Sequence, residues 1–259
     1  MGLAIGRSLA LGDRPDGSLA LTRILAEELG AGRRDLQMLV RRWVARYAAD
    51  PRGIEAETAA ALAHLARHDA PPSEAAGQGS DPLVRVLPVA LAAHHAPRTL
   101  VSATYHIVAL THPEPMVAWS AVAVNVALAR FLQGKRDFVP DVVEALRSNE
   151  VPDALLAVVR RVPLPPDPAA APGSGPGAAV TDAEAALRLA YHEPLLDRGL
   201  RAVVALGVAA AGRAGLAGAL LGARDGVGIL PGAWTALVDR EGLVSVASEI
   251  LRLAPAATV

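Results

Sequence analysis

The sequence contains no cysteine among its 259 residues. This absence excludes disulfide bonds, thiolate metal ligands, iron–sulfur clusters and a cysteine nucleophile. Aromatic residues make up only 3% of the chain, and Lys135 is the only lysine. Because 25 basic side chains stand against 26 acidic ones, the net charge is −1, and electrostatics favours neither nucleic acid nor a membrane surface as a partner.

Hydrophobic residues make up 52% of the chain and charged residues 20%, a composition typical of a chain that buries a substantial core. We therefore expect one domain or at most two. We expect no secretory signal at the amino terminus, because glycines and Arg7 interrupt its apolar residues. Residues 202–223 are apolar enough to consider as a membrane span, but Arg213 lies among them, which favours buried helices and a cytoplasmic protein.

Apolar residues recur at helical spacing through almost the whole chain. Ser18 is the candidate N-cap of a helix that Gly30 ends, and Asp35 is the candidate N-cap of the next helix. The same periodicity predicts helices over residues 54–68, 82–95, 98–110, 114–133, 138–147, 182–189, 194–206, 209–223 and 242–253, and a short helix after residue 152.

No alternating strand pattern persists beyond a few residues, so the predicted fold class is all-α, a compact multi-helix bundle. Pro88 should kink the helix predicted over residues 82–95. Residues 163–179 are rich in proline, glycine and alanine and show no periodicity, which predicts a flexible loop.

The common enzyme signatures are absent from the sequence. It has no glycine-rich phosphate loop with its lysine, no dinucleotide fingerprint, no His-Glu-x-x-His and no Gly-x-Ser-x-Gly elbow. His64 and His68 have the i, i+4 spacing of metal ligands, but no third ligand lies nearby in the sequence, which favours surface histidines. His94 and His95 follow a predicted helix, where an imidazolium suits the helix dipole.

Four segments together resemble the ADP-ribosylglycohydrolase family. Residues 216–234, LAGALLGARDGVGILPGAW, look like the family's glycine-rich helix and its I-P-x-x-W turn. Residues 77–91, GQGSDPLVRVLPVAL, are similar to a G-N-G-S-x-M-R-x-x-P segment with a short insertion, and residues 111–115, THPEP, match a T-H-x-x-P turn. The opening residues 2–10, GLAIGRSLA, resemble G-L-A-x-G-D-A-L-G. In this order the four segments cover nearly the whole chain, and the resemblance implies the family's all-α bundle as a single domain over residues 1–259.

The resemblance also implies a magnesium site that this sequence has largely lost. In the family, carboxylates from three segments hold two magnesium ions. Here Arg7 replaces the aspartate of the first segment, Asp16 is the one aspartate of the second, and Ala209 and Ala211 replace those of the third. Magnesium needs several oxygen ligands in near-octahedral geometry, so we expect no metal site, no cofactor and no magnesium-dependent hydrolysis.

The two arginines near the old metal pocket have two interpretations. Arg7 and Arg213 could bind an anionic ligand directly, in a pocket whose charge has changed sign. Alternatively, one of them pairs with Asp16 and fills the pocket without any ligand, since a buried charge is costly unless it is paired.

Other side chains are candidates for the site. His112, with Asp16, is a candidate catalytic residue, although Thr111 could simply cap the following helix while His112 fills space. Arg85 is a candidate contact for a ligand phosphate, or a structural pair. Trp234, like Tyr105 and Trp119, could stack on a flat ligand, but aromatic residues at helical spacing are more often core.

Three functions follow from these observations. The first is a pseudo-hydrolase that keeps the bundle as a ligand-binding or regulatory module, with an anionic or apolar small molecule, or a protein, as partner. The second is an enzyme repurposed for metal-independent chemistry on a small molecule in specialised metabolism, with an open apolar cavity lined by Asp16, His112 and an arginine. The third is an active ADP-ribosyl hydrolase with ligands that the motifs do not reveal.

Overall fold

The structure, a computed structural model, describes residues 1–73, 77, 79–149, 151–164, 177–226 and 228–254. Within these ranges the chain forms fifteen α-helices, one short 3₁₀ helix and no strand, which confirms the all-α prediction. Most of the loop predicted over residues 163–179 lies outside the described residues. Its last two residues, Ala178 and Ala179, are in the first turn of a helix, so the loop was predicted two residues too long.

The first half of the chain forms eight helices that enclose most of the core. They are α1 Gly2–Leu11, α2 Gly17–Gly30, α3 Leu36–Ala49, α4 Ala56–His68, α5 Asp81–Arg85, α6 Pro88–Ala93, α7 Pro97–Ala109 and α8 Pro115–Leu132.

The second half adds seven helices, and the 3₁₀ helix Val208–Ala210 precedes α13. They are α9 Val139–Arg147, α10 Asp153–Arg160, α11 Ala178–His192, α12 Leu196–Val204, α13 Ala211–Asp225, α14 Gly232–Thr235 and α15 Arg240–Leu253.

Aspartates begin several helices by accepting hydrogen bonds from free backbone N–H groups. Asp35 accepts from the N–H groups of Gln37 and Met38, as predicted. Helix α2 is capped by Asp16, which accepts from Leu19 N at 2.9 Å. The prediction that Ser18 caps this helix was therefore wrong: Ser18 lies inside the first turn, and its buried hydroxyl has no hydrogen-bond partner.

Prolines set the boundaries of two predicted segments. The helix predicted over residues 82–95 is two helices, because Pro88 lacks an N–H group and begins α6 instead of kinking a continuous helix. Helix α8 likewise begins at Pro115, after Glu114 at the N-cap. Thr111 therefore does not cap it, contrary to that interpretation, and its hydroxyl bonds to other side chains.

Helix α8 forms the centre of the bundle, and α5, α6, α7, α9, α10, α11 and α13 pack around it. It is the one helix of the described chain that is long and apolar enough to cross a membrane, and 72% of that stretch is buried inside the molecule. The apolar residues 202–223 are divided among the end of α12, the 3₁₀ helix and α13.

Helices α1 and α13 cross with their backbones almost in contact. A Cβ atom added to Gly6 would lie 2.1 Å from the carbonyl oxygen of Ala214, and one added to Gly218 would lie 2.2 Å from that of Gly2. Only glycine permits this approach. The crossing places Arg7 of α1 directly beside the start of α13, where Gly215 packs against its side chain.

Candidate functional site

A cavity of about 560 Å³ opens where the start of α13 meets α1, the N-terminus of α5 and the loops before α2 and α4. The alanines of the third family segment, Ala209 and Ala211, line it, together with Gly212. Its charged lining consists of Arg7, Arg14, Glu55, Glu57, Asp81 and Asp182.

Arg7 is bound to two carboxylates at this cavity. Its Nε donates to Asp16 Oδ2 at 2.7 Å and its Nη2 to Asp16 Oδ1 at 2.8 Å, which is the bidentate geometry of a strong ion pair. Its Nη1 donates to Asp81 Oδ1 at 2.8 Å. The Arg7 side chain is only 4% exposed, so one guanidinium joins α1, the N-cap of α2 and the first residue of α5.

The electrostatics of this group keep Arg7 charged. Burial alone lowers the pKa of Arg7, but the charges and hydrogen bonds of Asp81 and Asp16 raise it by more, so the net shift is upward. This geometry agrees with the sequence interpretation in which an arginine pairs with Asp16, and it adds Asp81 as a second acceptor.

Arg213 is engaged elsewhere, with a carboxylate of α11. Its Nε and Nη2 both lie 3.0 Å from Asp182 Oδ1, and both side chains are buried. Arg213 itself is not among the residues that line the cavity. The two arginines of the sequence prediction are therefore paired with different carboxylates, Arg7 with Asp16 and Asp81, and Arg213 with Asp182.

Glu55 and Glu57 form a carboxyl pair on the opposite wall of the cavity. A Cβ atom on Gly79 would lie 2.7 Å from Glu55 Oε2 and 2.9 Å from Glu57 Oε2, and one on Gly77 would overlap Glu57. These two glycines leave the space that the carboxyl groups occupy. Glu55 Oε2 is buried and has no hydrogen-bond partner.

Glu55 is a weak acid in this position. Burial raises its pKa, the charges of Asp81 and Glu57 raise it further, and together they bring it to about 8 although Arg7 and Arg85 act in the other direction. The pKa of Glu57 is raised too, first by burial and then by Asp81. Glu55 therefore holds a proton at neutral pH.

The raised pKa of Glu55 predicts that this carboxyl group destabilises the folded protein as the pH rises. Between its ordinary value of 4.5 and about 8, the folded state keeps a proton that the unfolded state has lost, so we expect this group to cost about 1–3 kcal/mol of unfolding free energy across that range. Urea unfolding of the wild type and of Glu55→Gln at several pH values measures this contribution. The pH dependence that comes from His112 is present in both proteins and cancels in the comparison.

The exposed Glu241 of α15 provides the matched control. The unfolding free energy of Glu241→Gln should depend on pH as that of the wild type does. Glu55→Gln should lack the part of this pH dependence that comes from Glu55. Parallel curves for all three proteins would show that Glu55 is ionised at neutral pH.

Arg85 and His112 meet in a separate, fully buried cluster. Both are 0% exposed. Arg85 donates to the hydroxyl groups of Thr111 and Thr58 and lies 4.9 Å from the ring centroid of Trp43, while His112 Nδ1 lies 3.0 Å from the Thr111 hydroxyl. Neither residue lines the cavity, so this cluster is the core beneath α5.

Burial governs the ionisation of this cluster. It lowers the pKa of His112 to about 3, with a further contribution from the charge of Arg85, and it lowers the pKa of Arg85 to about 10 against the opposing charges of Asp81 and Glu55. His112 is therefore neutral at physiological pH, far from the range that suits general acid–base catalysis. Its role as a catalytic residue stays a prediction.

The aromatic candidates also lie away from this cavity. The guanidinium of Arg201 covers the Trp234 ring at 4.7 Å from its centroid. Tyr105 and Trp119 contact each other, with ring centroids 4.8 Å apart, and line a different cavity. None of the three is among the residues that line the first cavity.

Four carboxylates of the site were missed by sequence reasoning: Glu55, Glu57, Asp81 and Asp182. Asp81 stood inside the 77–91 segment, and the glycines at positions 77 and 79 were the signal that bulky groups approach there. With four carboxylates and two guanidiniums in its lining, the cavity has not changed sign as the sequence reasoning expected.

The described residues contain no group of three or more histidine, aspartate or glutamate side chains placed to hold a metal ion. His64 and His68 of α4 lie with ring centroids 4.5 Å apart. His68 is exposed and His64 half-buried. Within the part of the chain that the structure covers, no third potential metal ligand accompanies these two histidines.

Comparison with known proteins agrees with the all-α fold and with the family resemblance. The sequence model of the ADP-ribosylglycohydrolase family matches residues 6–258. A solved structure described as an "ADP-ribosylglycohydrolase-related protein complex" superposes with a TM-score of 0.80 at 25% sequence identity, over 98% of this chain and 95% of that chain. No curated protein matches the sequence. The family match includes every residue that lines the cavity.

Proposed function

Because the chain belongs to the ADP-ribosylglycohydrolase family, we propose that it is a pseudo-hydrolase, which keeps the family's bundle and cavity as a ligand-binding module without the two-magnesium hydrolytic site. The observation that carries this proposal is the position of Arg7. Its guanidinium uses both oxygens of Asp16, at a position where the sequence resemblance implies an aspartate of the family's first metal-binding segment.

The donor chemistry at the cavity does not fit a pair of magnesium ions. Magnesium takes oxygen ligands at close range, but Ala209 and Ala211 offer none from their side chains, and Asp16 and Asp81 already accept from Arg7. A divalent ion beside these carboxylates would also face the positive charge of the buried guanidinium. Loss of the metal removes the group that would activate water and position the ribose.

The charges that remain in the cavity suggest how a small molecule would bind. Among the described residues, the charged side chains that line the cavity without forming an ion pair are Arg14, Glu55 and Glu57. An anionic group of the ligand would therefore meet Arg14 rather than Arg7, and a protonated Glu55 would donate to an acceptor. We propose that the ligand is a small molecule and that the protein binds neither nucleic acid nor a membrane. We also propose that it is cytoplasmic, with a partner protein as a second type of ligand.

The second candidate function is metal-independent catalysis, and one observation favours it. Burial and neighbouring carboxylates raise the pKa of Glu55 to about 8, and burial and Asp81 raise the pKa of the adjacent Glu57. Pairs of carboxyl groups in different environments are a known acid–base arrangement. In that case Glu55 would be the proton donor and Glu57 the base. Asp16 is held by Arg7 and His112 lies outside the cavity, so neither fits that role as well.

Release of ADP-ribose from an ADP-ribosylated protein tests whether the family's hydrolytic activity has been lost. The pseudo-hydrolase predicts no release above the enzyme-free background, with magnesium or with chelator. A metal-independent hydrolase that acts on this substrate would release equal amounts in both buffers and lose this activity in Glu55→Gln. Release that needs magnesium and is abolished by the chelator would contradict the proposed function.

A further inference from the structure

A further cavity, of about 610 Å³, lies between the C-terminal half of α2 and helix α7. Helix α6, the start of α3 and the end of α15 also contribute to its lining. We call it the α2–α7 cavity. It shares no lining residue with the first cavity, and nothing in the proposed function uses it.

The lining of the α2–α7 cavity is mostly apolar, and part of this apolar surface faces solvent. Leu25, Leu39 and Val89 are buried in its walls, whereas Leu36 and Leu253 are 38% and 40% exposed. A concave apolar wall with exposed leucines beside it favours the binding of another apolar group, since this would remove that surface from water.

One face of helix α7 gives the cavity an elongated wall. Thr99, Ala103 and Ile107 all line the cavity, and their i, i+4, i+8 spacing places them in one row along the helix. At 1.5 Å per residue, this row is about 12 Å long. Because the middle residue is an alanine, the row leaves room for a narrow apolar chain that runs parallel to α7.

A cation and a hydroxyl group stand together at one end of this row. Arg98 and Thr99 are consecutive residues in the first turn of α7, and both are exposed and line the cavity. Neither side chain has a hydrogen-bond or ion-pair partner among the described residues. Since they are adjacent in the chain and lie at the positive end of the helix, one small anionic group is able to contact both.

The other charged residues of the cavity are already engaged. Glu28 is paired with Arg33, and Asp35 accepts hydrogen bonds from the backbone at the start of α3. Arg34 donates to two backbone carbonyl groups. With three arginines against two carboxylates the lining is net positive, and Arg98 is the cation that remains available to an anion.

From this combination we propose that the α2–α7 cavity binds a medium-chain aliphatic carboxylate. The carboxylate group contacts Arg98 and Thr99, and the chain lies along Ala103 towards Ile107. The volume of the cavity is in the range of small-molecule sites, and its wall of about 12 Å suits a single chain of this kind. The proposal is independent of the function proposed for the first cavity, because no residue lines both.

Titration calorimetry of the full chain with hexanoate, octanoate and decanoate tests this proposal. We expect decanoate to bind with a stoichiometry of one, and each two methylene groups added along the series to strengthen binding about tenfold, because each is buried against the apolar wall. Arg98→Gln should weaken decanoate about tenfold, as expected for the loss of a charge-assisted hydrogen bond. Undetectable binding of decanoate would overturn the proposal.

Matched controls separate the charge of the probe from its chain. Decanol, which lacks the charge, should bind the wild type about tenfold more weakly than decanoate and should bind Arg98→Gln within about twofold of the wild type. Arg147→Gln removes an exposed arginine that does not line the cavity, and it should leave the affinity for decanoate within about twofold. Equal affinity of decanoate for the wild type and Arg98→Gln would contradict the proposed contact.

A variant of the wall tests where the chain lies. Ala103→Met places a larger side chain in the middle of the row and should weaken decanoate and decanol alike, while the melting temperature reports whether the variant is folded. Unchanged affinity in folded Ala103→Met would place the chain elsewhere and overturn the proposal. A dimer of the free protein that Leu36→Glu dissociates would also overturn it, because a second copy of the chain would then cover the cavity.

Discussion

Replacing Arg7 by methionine is expected to lower the free energy of unfolding by about 3–5 kcal/mol. The methionine fills much of the same space, but it leaves the buried carboxylate of Asp81 and the partly buried carboxylate of Asp16 without a cation. Removing one partner of a buried ion pair costs more than the pair contributes, because the remaining charge has lost both water and partner. Urea unfolding at neutral pH measures the loss.

Two further variants test whether the loss comes from the stranded charges. Arg23→Met makes the same replacement at a half-exposed arginine paired with Glu27, where we expect a change below about 0.5 kcal/mol. Adding Asp81→Asn to Arg7→Met should restore part of the lost stability, since one stranded charge is removed with the cation. Equal losses for Arg7→Met and Arg23→Met would mean that the Arg7 pair is not buried as described.

Gly6→Ala is expected to destabilise the protein by about 3 kcal/mol, although it adds a single methyl group. The methyl carbon would lie 2.1 Å from the carbonyl oxygen of Ala214, and a backbone carbonyl in a helix cannot move aside as a flexible side chain can. Helices α1 and α13 would have to separate. Arg7 follows Gly6 directly, so the same separation would disturb its hydrogen bonds at the cavity.

The matched control for this variant is Gly232→Ala, which makes the same change in the exposed helix α14, where no atom lies within 4 Å of the added carbon. Alanine there should be neutral or slightly stabilising. Thermal and urea unfolding of the two variants give the comparison. If Gly6→Ala were as stable as Gly232→Ala, the close crossing of α1 and α13 would be incorrect.

Much of the fold follows from the sequence because helical periodicity and proline positions are local signals. The helices near residues 54–68, 98–110 and 114–133 lie within two residues of their predicted bounds. The errors arose where two local signals compete. At the start of α2, Ser18 and Asp16 are both good caps, and the choice of Asp16 depends on Arg7, which is remote in the chain.

The candidate site was less predictable, because it depends on which charges meet across the bundle. Arg7 and Asp16 were expected together from the family motifs, and their pairing was one of two interpretations. Asp81 belongs to a helix 74 positions further along the chain from Arg7. Glu55 and Glu57 carry no motif, and only the fold places them at Gly79.

Arg7 affects the stability of the bundle as well as the chemistry of the cavity. In the family, as the sequence motifs imply, metal ions neutralise the acidic groups where the three segments converge. Here a covalently attached guanidinium bonds to two carboxylates, and we expect the bundle to be stable without metal. A ligand that binds the folded protein and not the unfolded chain would still raise the melting temperature.

The most direct test of this claim is a crystal structure of the protein grown with manganese, with an anomalous difference map. We predict that Arg7 donates to Asp16 and Asp81 as described and that the cavity shows no anomalous peak. Peaks coordinated by Asp16 or Asp81, with the Arg7 side chain turned away, would contradict the account.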